Sequence, residues 1–179
     1  MLAHRWAVAD DIPALRALMA AAIERLQADL LDPIAIAASR VFMGIDTQLI
    51  ADGSYVVVEI DGQIAGCGGW SRRATLYGGD HSAGRNAALL DPAIDPARIR
   101  AMYTHPDFAR RGVGRQVLML CEQAASIAGF GRVELMATLA GERLYRACGY
   151  QEIERTGSAP INGVIVPLVR MGKVIAGPI

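Results

Sequence analysis

Leu15, Leu18, Met19, Ala22, Ile23 and Leu26 recur at intervals of three and four residues, the spacing of one apolar face on a helix. Asp10 or Asp11 can cap that helix, and Pro13 suits its first turn. A second, shorter helix is predicted from Asp32-Pro33, carrying Ile34, Ile36, Ala37 and Val41 toward Gly44, which can end it. The period then changes to that of strands. Two β-rich runs, residues 55–60 and 63–70, flank Asp61-Gly62, a strong type I′ turn signal, so a hairpin is predicted. Gly66, Gly68 and Gly69 weaken its second strand and point to a bulge or to close backbone approaches. Residues 71–96 are polar and punctuated by glycines and prolines, too long for a tight connection and of a length that is usually functional or mobile.

A strand follows at residues 98–104, stopped by the turn His105-Pro106-Asp107. Val113, Val117, Leu120, Ala124 and Ile127 mark the face of a helix that Gly129 and Gly131 break. Next come a strand at 132–137 and a helix at 140–147 that closes on Gly149 as a left-handed cap. Two late strands follow, at 150–155 and 164–171, the second carrying Pro167, which favours an edge or bulged position. The order helix, helix, hairpin, strand, helix, strand, helix, strand, strand predicts an α/β fold over residues 1–179 as one domain. Its core is one mixed sheet with helices on both faces. The strand-helix-strand unit at its centre should cross over right-handed.

Composition narrows the partners. The chain has 179 residues, 53% of them apolar, and 18 basic side chains balance 18 acidic ones. That balance argues against a nucleic-acid surface or an anionic lipid surface, yet Arg110, Arg111 and Arg115 form a local cluster suited to one small polyanion. The apolar stretch LRALMAAAI is bounded by charges and fits neither a membrane span nor a secretory segment. Cys67, Cys121 and Cys148 are odd in number and widely spaced, with no metal-ligand pattern, so no metal is expected and the chain is placed in the cytoplasm.

The chemistry concentrates where strand 98–104 gives way to Gly112-Val113-Gly114 and a helix. Glycines there let the backbone bend close to an anion and offer it successive N–H groups, to which the helix adds its positive end. A P-loop would continue Gly-Lys-Ser/Thr, whereas Gly114 is followed by Arg115-Gln116; a dinucleotide fingerprint would need glycine at Val117. Both nucleotide readings fail. The stretches THPDFARRGVG and LYRACGY instead resemble the GNAT superfamily of acyl-CoA N-acyltransferases, whose loop reads Arg/Gln-x-x-Gly-x-Gly/Ala after a strand ending in a His-Pro-like turn. Here that window is residues 109–114. Both glycines match, while Ala109 stands at the first position, so any side-chain role there is absent or falls to Arg110.

The resemblance implies a mostly antiparallel sheet with a splayed parallel pair of strands, and acetyl-CoA as acyl donor. The pyrophosphate would lie on main-chain N–H groups from Arg110, Arg111, Gly112, Val113, Gly114 and Arg115, and the pantetheine arm beside the backbone of Met102, Tyr103 and Thr104. Thr138 stands where the family often has a pantetheine-binding asparagine, and Gly141 where it usually has alanine. Tyr145 stands at the position of the general acid that protonates the departing thiolate. The implied reaction is transfer of acetyl to a primary amine, of a small molecule or an amino terminus, by direct attack. No carboxylate lies on strand 98–104 to serve as base, which leaves Glu134, Asp80, His81 or water. Residues 71–96 are expected to cover the acceptor site as a lid. A non-catalytic acyl-CoA-binding module and a cofactor-free interaction domain are the alternatives, and the sequence leaves open whether the chain forms a homodimer.

Overall fold

The computed structural model describes residues 1–175, and its elements follow the predicted order with two additions. In chain order they are β1 (Leu2–Trp6), α1 (Ile12–Arg25), α2 (Pro33–Ser39), α3 (Thr47–Ala51), β2 (Tyr55–Ile60), β3 (Gln63–Ser71), β4 (Ala97–Thr104), α4 (Val113–Ile127), β5 (Arg132–Thr138), α5 (Leu139–Ala147), β6 (Gln151–Gly157) and β7 (Pro167–Val174). β1 and α3 are the additions. Every residue of β1 is exposed, so no apolar alternation announces it. α3 has five residues and is held by Asp46, whose carboxylate accepts from the Gln48 N–H.

Local chemistry accounts for the helices. α1 buries Leu15, Leu18, Met19, Ala22 and Ile23, the predicted face. Asp11 precedes it without capping it, because its carboxylate accepts instead from the Val8 N–H at 2.8 Å and pairs with Arg5. Asp32 does cap α2, accepting from the Ala35 N–H at 2.7 Å. α2 ends at Ser39, short of Val41, and buries Ile36 and Ala38, while Ile34 and Val41 face solvent. Among the described residues no helix is long and apolar enough to cross a membrane.

The seven strands form one sheet in the order β1-β2-β3-β4-β5-β7-β6, with β4 and β5 as its parallel pair. β7 therefore lies inside the sheet, so of the edge or bulged position read from Pro167 the edge is ruled out and belongs to the exposed β6. Pro167 is tolerated because it is the first residue of β7, where a missing donor costs least. The β2–β3 turn has positive φ at Asp61 and Gly62, as a type I′ turn requires. β2 is buried on both faces: Val56, Val58 and Ile60 pack with α4, whereas Tyr55 and Val57 pack with Leu15, Leu18 and Met19 of α1.

Two irregularities shape the middle of the sheet. The β3–β4 register shifts between Cys67 and Gly69, and Ala101 opposite the shift has φ of +49°, so β4 carries a bulge there. The fully buried Tyr55 reaches under β3 and donates its hydroxyl to the Ala101 carbonyl at 2.6 Å, which holds the bulge. Gly68, on the shifted stretch, admits Val117 of α4 so closely that a Cβ would stand 2.6 Å from its Cγ1. Beyond the bulge β4 leaves β5. The two pair only at Ala97 with Val133 and Arg98 with Glu134.

Tyr55→Phe is expected to cost about 1–3 kcal/mol, since it leaves the partly buried Ala101 carbonyl without its donor. Urea unfolding measures this, and a loss below about 0.5 kcal/mol would contradict the role given to that bond.

Candidate active site

The loop between β4 and α4 is preorganised for an anion. His105 accepts from the Asp107 N–H at 3.2 Å and closes a short 3-10 turn over residues 106–108, which aims the chain back toward the sheet. Arg110 and Gly112 both have positive φ, +65° and +82°, and the alternation of left- and right-handed backbone turns successive N–H groups the same way. Among the described residues no carbonyl accepts from the N–H groups of residues 110–115; the first inward bond at this end of α4 is Gln116 N–H to the Gly112 carbonyl. These are the orphan donors of a helix start. Gly112 supplies a backbone shape. Gly114 supplies proximity, because a Cβ there would stand 2.7 Å from Leu144 Cδ2 of α5. Arg110, Arg111 and Arg115 are exposed, and among the described residues none pairs with a carboxylate. Arg111 lies over the Phe108 ring, 5.4 Å from its centre.

Beside this loop the divergence of β4 and β5 opens a cavity of about 90 Å³. Met102, Tyr103, Thr138 and Tyr145 all line it, so the structure brings these sequence-predicted residues to one place. Facing edges of the two strands beyond Arg98 and Glu134 make no ladder bonds with each other, which leaves backbone donors and acceptors along the cleft. Thr104 adjoins the phosphate loop: a Cβ on Gly114 would lie 3.6 Å from its Oγ1. Tyr145 is 9% exposed, and among the described residues its hydroxyl has no hydrogen-bond partner. Burial raises its pKa well above the ordinary tyrosine value, so the phenol keeps its proton at physiological pH. Its ring crosses Gly141, where a Cβ would stand 2.9 Å away, and meets the Tyr150 ring at 5.8 Å between centres. The Thr138 hydroxyl caps α5 by accepting from the Gly141 N–H at 3.2 Å, and its own proton remains available to donate.

Two further segments wall the cavity, and only the second, within residues 71–96, was placed near the acceptor site by the sequence. Phe42, Met43 and Gly44 follow α2, and residues 76–79 belong to the long β3–β4 connection. The connection is folded back on itself, with Thr75 bonded to Asn86 and the Gly79 N–H donating to the Phe42 carbonyl at 2.9 Å. Tyr77 meets Phe42 edge to face at 5.8 Å. A buried ion network ties these pieces to β4. Arg100 is 5% exposed and pairs with the fully buried Asp46 at 2.6 Å, while also donating to the Gly78 carbonyl. Arg85 takes the other Asp46 oxygen at 2.9 Å. The Gly44 N–H donates to the Tyr103 hydroxyl at 2.9 Å. An arginine at position 100, on a strand with no exposed residue, was the available sign of such a network.

None of the three side chains read from the sequence as base candidates lines the cavity. Glu134 sits at the closed end of the cleft between Arg98 at 2.9 Å and Arg170 at 2.5 Å. That is four residues, about 13 Å of strand, from Thr138. Asp80 is engaged by the Thr47 N–H and hydroxyl at 2.9 and 2.8 Å. His81 donates from Nε2 to the Arg40 carbonyl at 2.9 Å on the outer surface. All three hold structure.

Comparison with known proteins agrees with this geometry. The sequence matches one family model, described as an acetyltransferase (GNAT) domain, over residues 51–152. A GCN5-related N-acetyltransferase from Rhodopseudomonas palustris is 21% identical, with a TM-score of 0.69 over 97% of this chain and 95% of that one. The ribosomal-protein-S18-alanine N-acetyltransferase of Escherichia coli is 16% identical, with a TM-score of 0.61 over 99% and 96%. An acetyltransferase of Salmonella typhimurium crystallised with acetyl-CoA is 17% identical, with a TM-score of 0.64 over 98% and 94%. No curated protein matches the sequence.

Asp46→Ala is expected to cost about 3–5 kcal/mol, because Arg100 is left buried without its counter-charge. Chemical denaturation tests this, and a cost under about 1 kcal/mol would mean that the network contributes little to the walls of the cavity.

Proposed function

The chain belongs to the GNAT acetyltransferase family, and on that premise we propose that it acts as one domain, an N-acetyltransferase that moves an acetyl group from acetyl-CoA to a primary amine of a small molecule or an amino terminus. The observation that carries this reading is the meeting of two features at the open end of the β4–β5 pair: a loop of unused N–H groups, and a cavity with a protonated, unpartnered tyrosine on its wall.

Acetyl-CoA supplies an acyl carbon activated as a thioester. In this reading the N–H groups of Arg110 to Arg115 and the loop arginines hold its pyrophosphate. The backbone groups of Met102, Tyr103 and Thr104 on the edge that faces β5 take up the pantetheine amides, as an added strand would. The Thr138 hydroxyl donates to the same arm near the thioester end. Tyr145 then serves as general acid, giving its proton to sulfur as the carbon–sulfur bond breaks and the carbon–nitrogen bond forms. Transfer is direct, from donor to amine with both bound. In support, no cysteine, serine or lysine is among the described residues lining the cavity, and none of those residues is a carboxylate or imidazole that could activate the hydroxyls of Tyr103, Thr138 or Tyr145. We place the protein in the cytoplasm, where acetyl-CoA and reduced cysteines coexist.

The test combines binding and turnover on the same variant. Saturating acetyl-CoA, at about 100 times its dissociation constant, is expected to stabilise both the wild type and Tyr145→Phe by about 2.7 kcal/mol, a rise of about 5–10 °C in Tm. Turnover, followed as CoA release with an accepted amine, is expected to fall about 100-fold in Tyr145→Phe alone. No thermal shift in folded protein would overturn the cosubstrate, and unchanged turnover would remove Tyr145 from the chemistry.

A further inference from the structure

The proposed reaction requires an amine with a free electron pair, and none of the described side chains lining the cavity is a carboxylate or imidazole that could make one from an ammonium ion. Among the described residues that line it there is no aspartate, glutamate or histidine. The carboxylates of neighbouring elements are committed elsewhere: Asp46 to Arg100 and Arg85, Asp80 to Thr47, Glu134 to Arg98 and Arg170. Tyr103 and Tyr145 are held protonated by burial and are not bases near neutral pH. Among the described residues the one formal charge on the wall is the guanidinium of Arg100, which is paired with Asp46, so the wall offers a cation no attraction. The Arg100 Nε–H is buried and, among the described residues, has no acceptor. The rest of the wall is mainly apolar, with Phe42, Met43, Leu76, Met136 and Leu168 contributing. Desolvating an ammonium in such a place, with no carboxylate to pair with it, is strongly unfavourable.

Resting on the acetyltransferase reading, we infer that the acceptor is a small, weakly basic amine carried on an apolar body, of the arylamine kind, which enters as the free base. An arylamine nitrogen is unprotonated at pH 7 without help from the enzyme. A lysine-like amine with pKa near 10.4 is neutral in only about one molecule in 2,500 at that pH. On this view the absent base is a statement about the substrate: attack proceeds from nitrogen already carrying its lone pair. The proton that nitrogen sheds after the bond forms leaves to water.

The experiment compares an arylamine and a benzylamine matched in size, together with lysine and a short peptide, between pH 7 and pH 9. For the arylamine, kcat and KM are both expected to stay flat. For the benzylamine, kcat is expected to stay flat while apparent KM falls about tenfold per pH unit, because the free base alone binds. Lysine and the peptide are expected to be the poorer acceptors at pH 7. A kcat that climbs through a pKa near neutrality would reveal an enzymic base and overturn the inference, as would preferred use of lysine or the peptide at pH 7. Thermal stabilisation by acetyl-CoA, measured alongside, separates the two levels. If stabilisation persists while kcat titrates, only the acceptor class is wrong; if it is missing, the acetyltransferase reading and this inference fall together.

Discussion

A single hydrogen bond, from the buried Tyr55 hydroxyl to the carbonyl of Ala101, holds the kink on which the cleft depends. An unbulged β4 could continue its ladder with β5, and the sheet would close where the cavity now lies. With Ala101 at positive φ, β4 turns away after two paired residues. The divergence leaves the facing edges free and places the end of β4 beside the start of α4. It also turns Arg100 toward Asp46 and the long connection, so that the same distortion recruits a wall from the β3–β4 segment. Glycines in β3 are the complement: Gly68 lets α4 press against the kinked region, where any side chain would push it off.

The electrostatics follow a division between paired and unpaired arginines. Arg5, Arg73, Arg98, Arg100, Arg146, Arg155 and Arg170 each face a carboxylate and spend their charge on tertiary structure. Arg110, Arg111 and Arg115 do not, which is why a chain of zero net charge can still present a positive loop. That loop adds to the field of the orphan N–H groups beside it, and both point to the same small anion.

Much of this was legible in the sequence, for physical reasons that differ by region. The apolar face of α1, the Asp61-Gly62 turn and the glycines of β3 are local signals, and each locates its element; α4 was located too, but its buried face turns to Leu118, Cys121 and Ala125 while Ile127, read as part of that face, is 80% exposed. Gly112 reads correctly as a conformational glycine, whereas Gly114 serves contact with Leu144, thirty residues away, which local reasoning does not reach. β1 escaped because an exposed edge strand has no buried face to alternate, and α3 because it is too short to show a period. Pro167 pointed to an edge, while the order of β7 and β6 is set by tertiary pairing that one residue does not encode. The Asp46–Arg100–Arg85 network joins three distant segments and was missed entirely. Glu134 looked available as a base only because its two arginine partners lie 36 residues away on either side in sequence.

The central claim is that the open end of the β4–β5 pair and the adjoining loop form one continuous seat for acetyl-CoA. Backbone hydrogen exchange with and without saturating acetyl-CoA tests it most directly, since the seat is made of main-chain N–H groups. Slowed exchange concentrated at residues 102–104 and 110–115, with β1 and the β6 edge unchanged, is the result the account predicts. Binding of acetyl-CoA with unaltered exchange at those residues, or with protection centred elsewhere on the sheet, would contradict it.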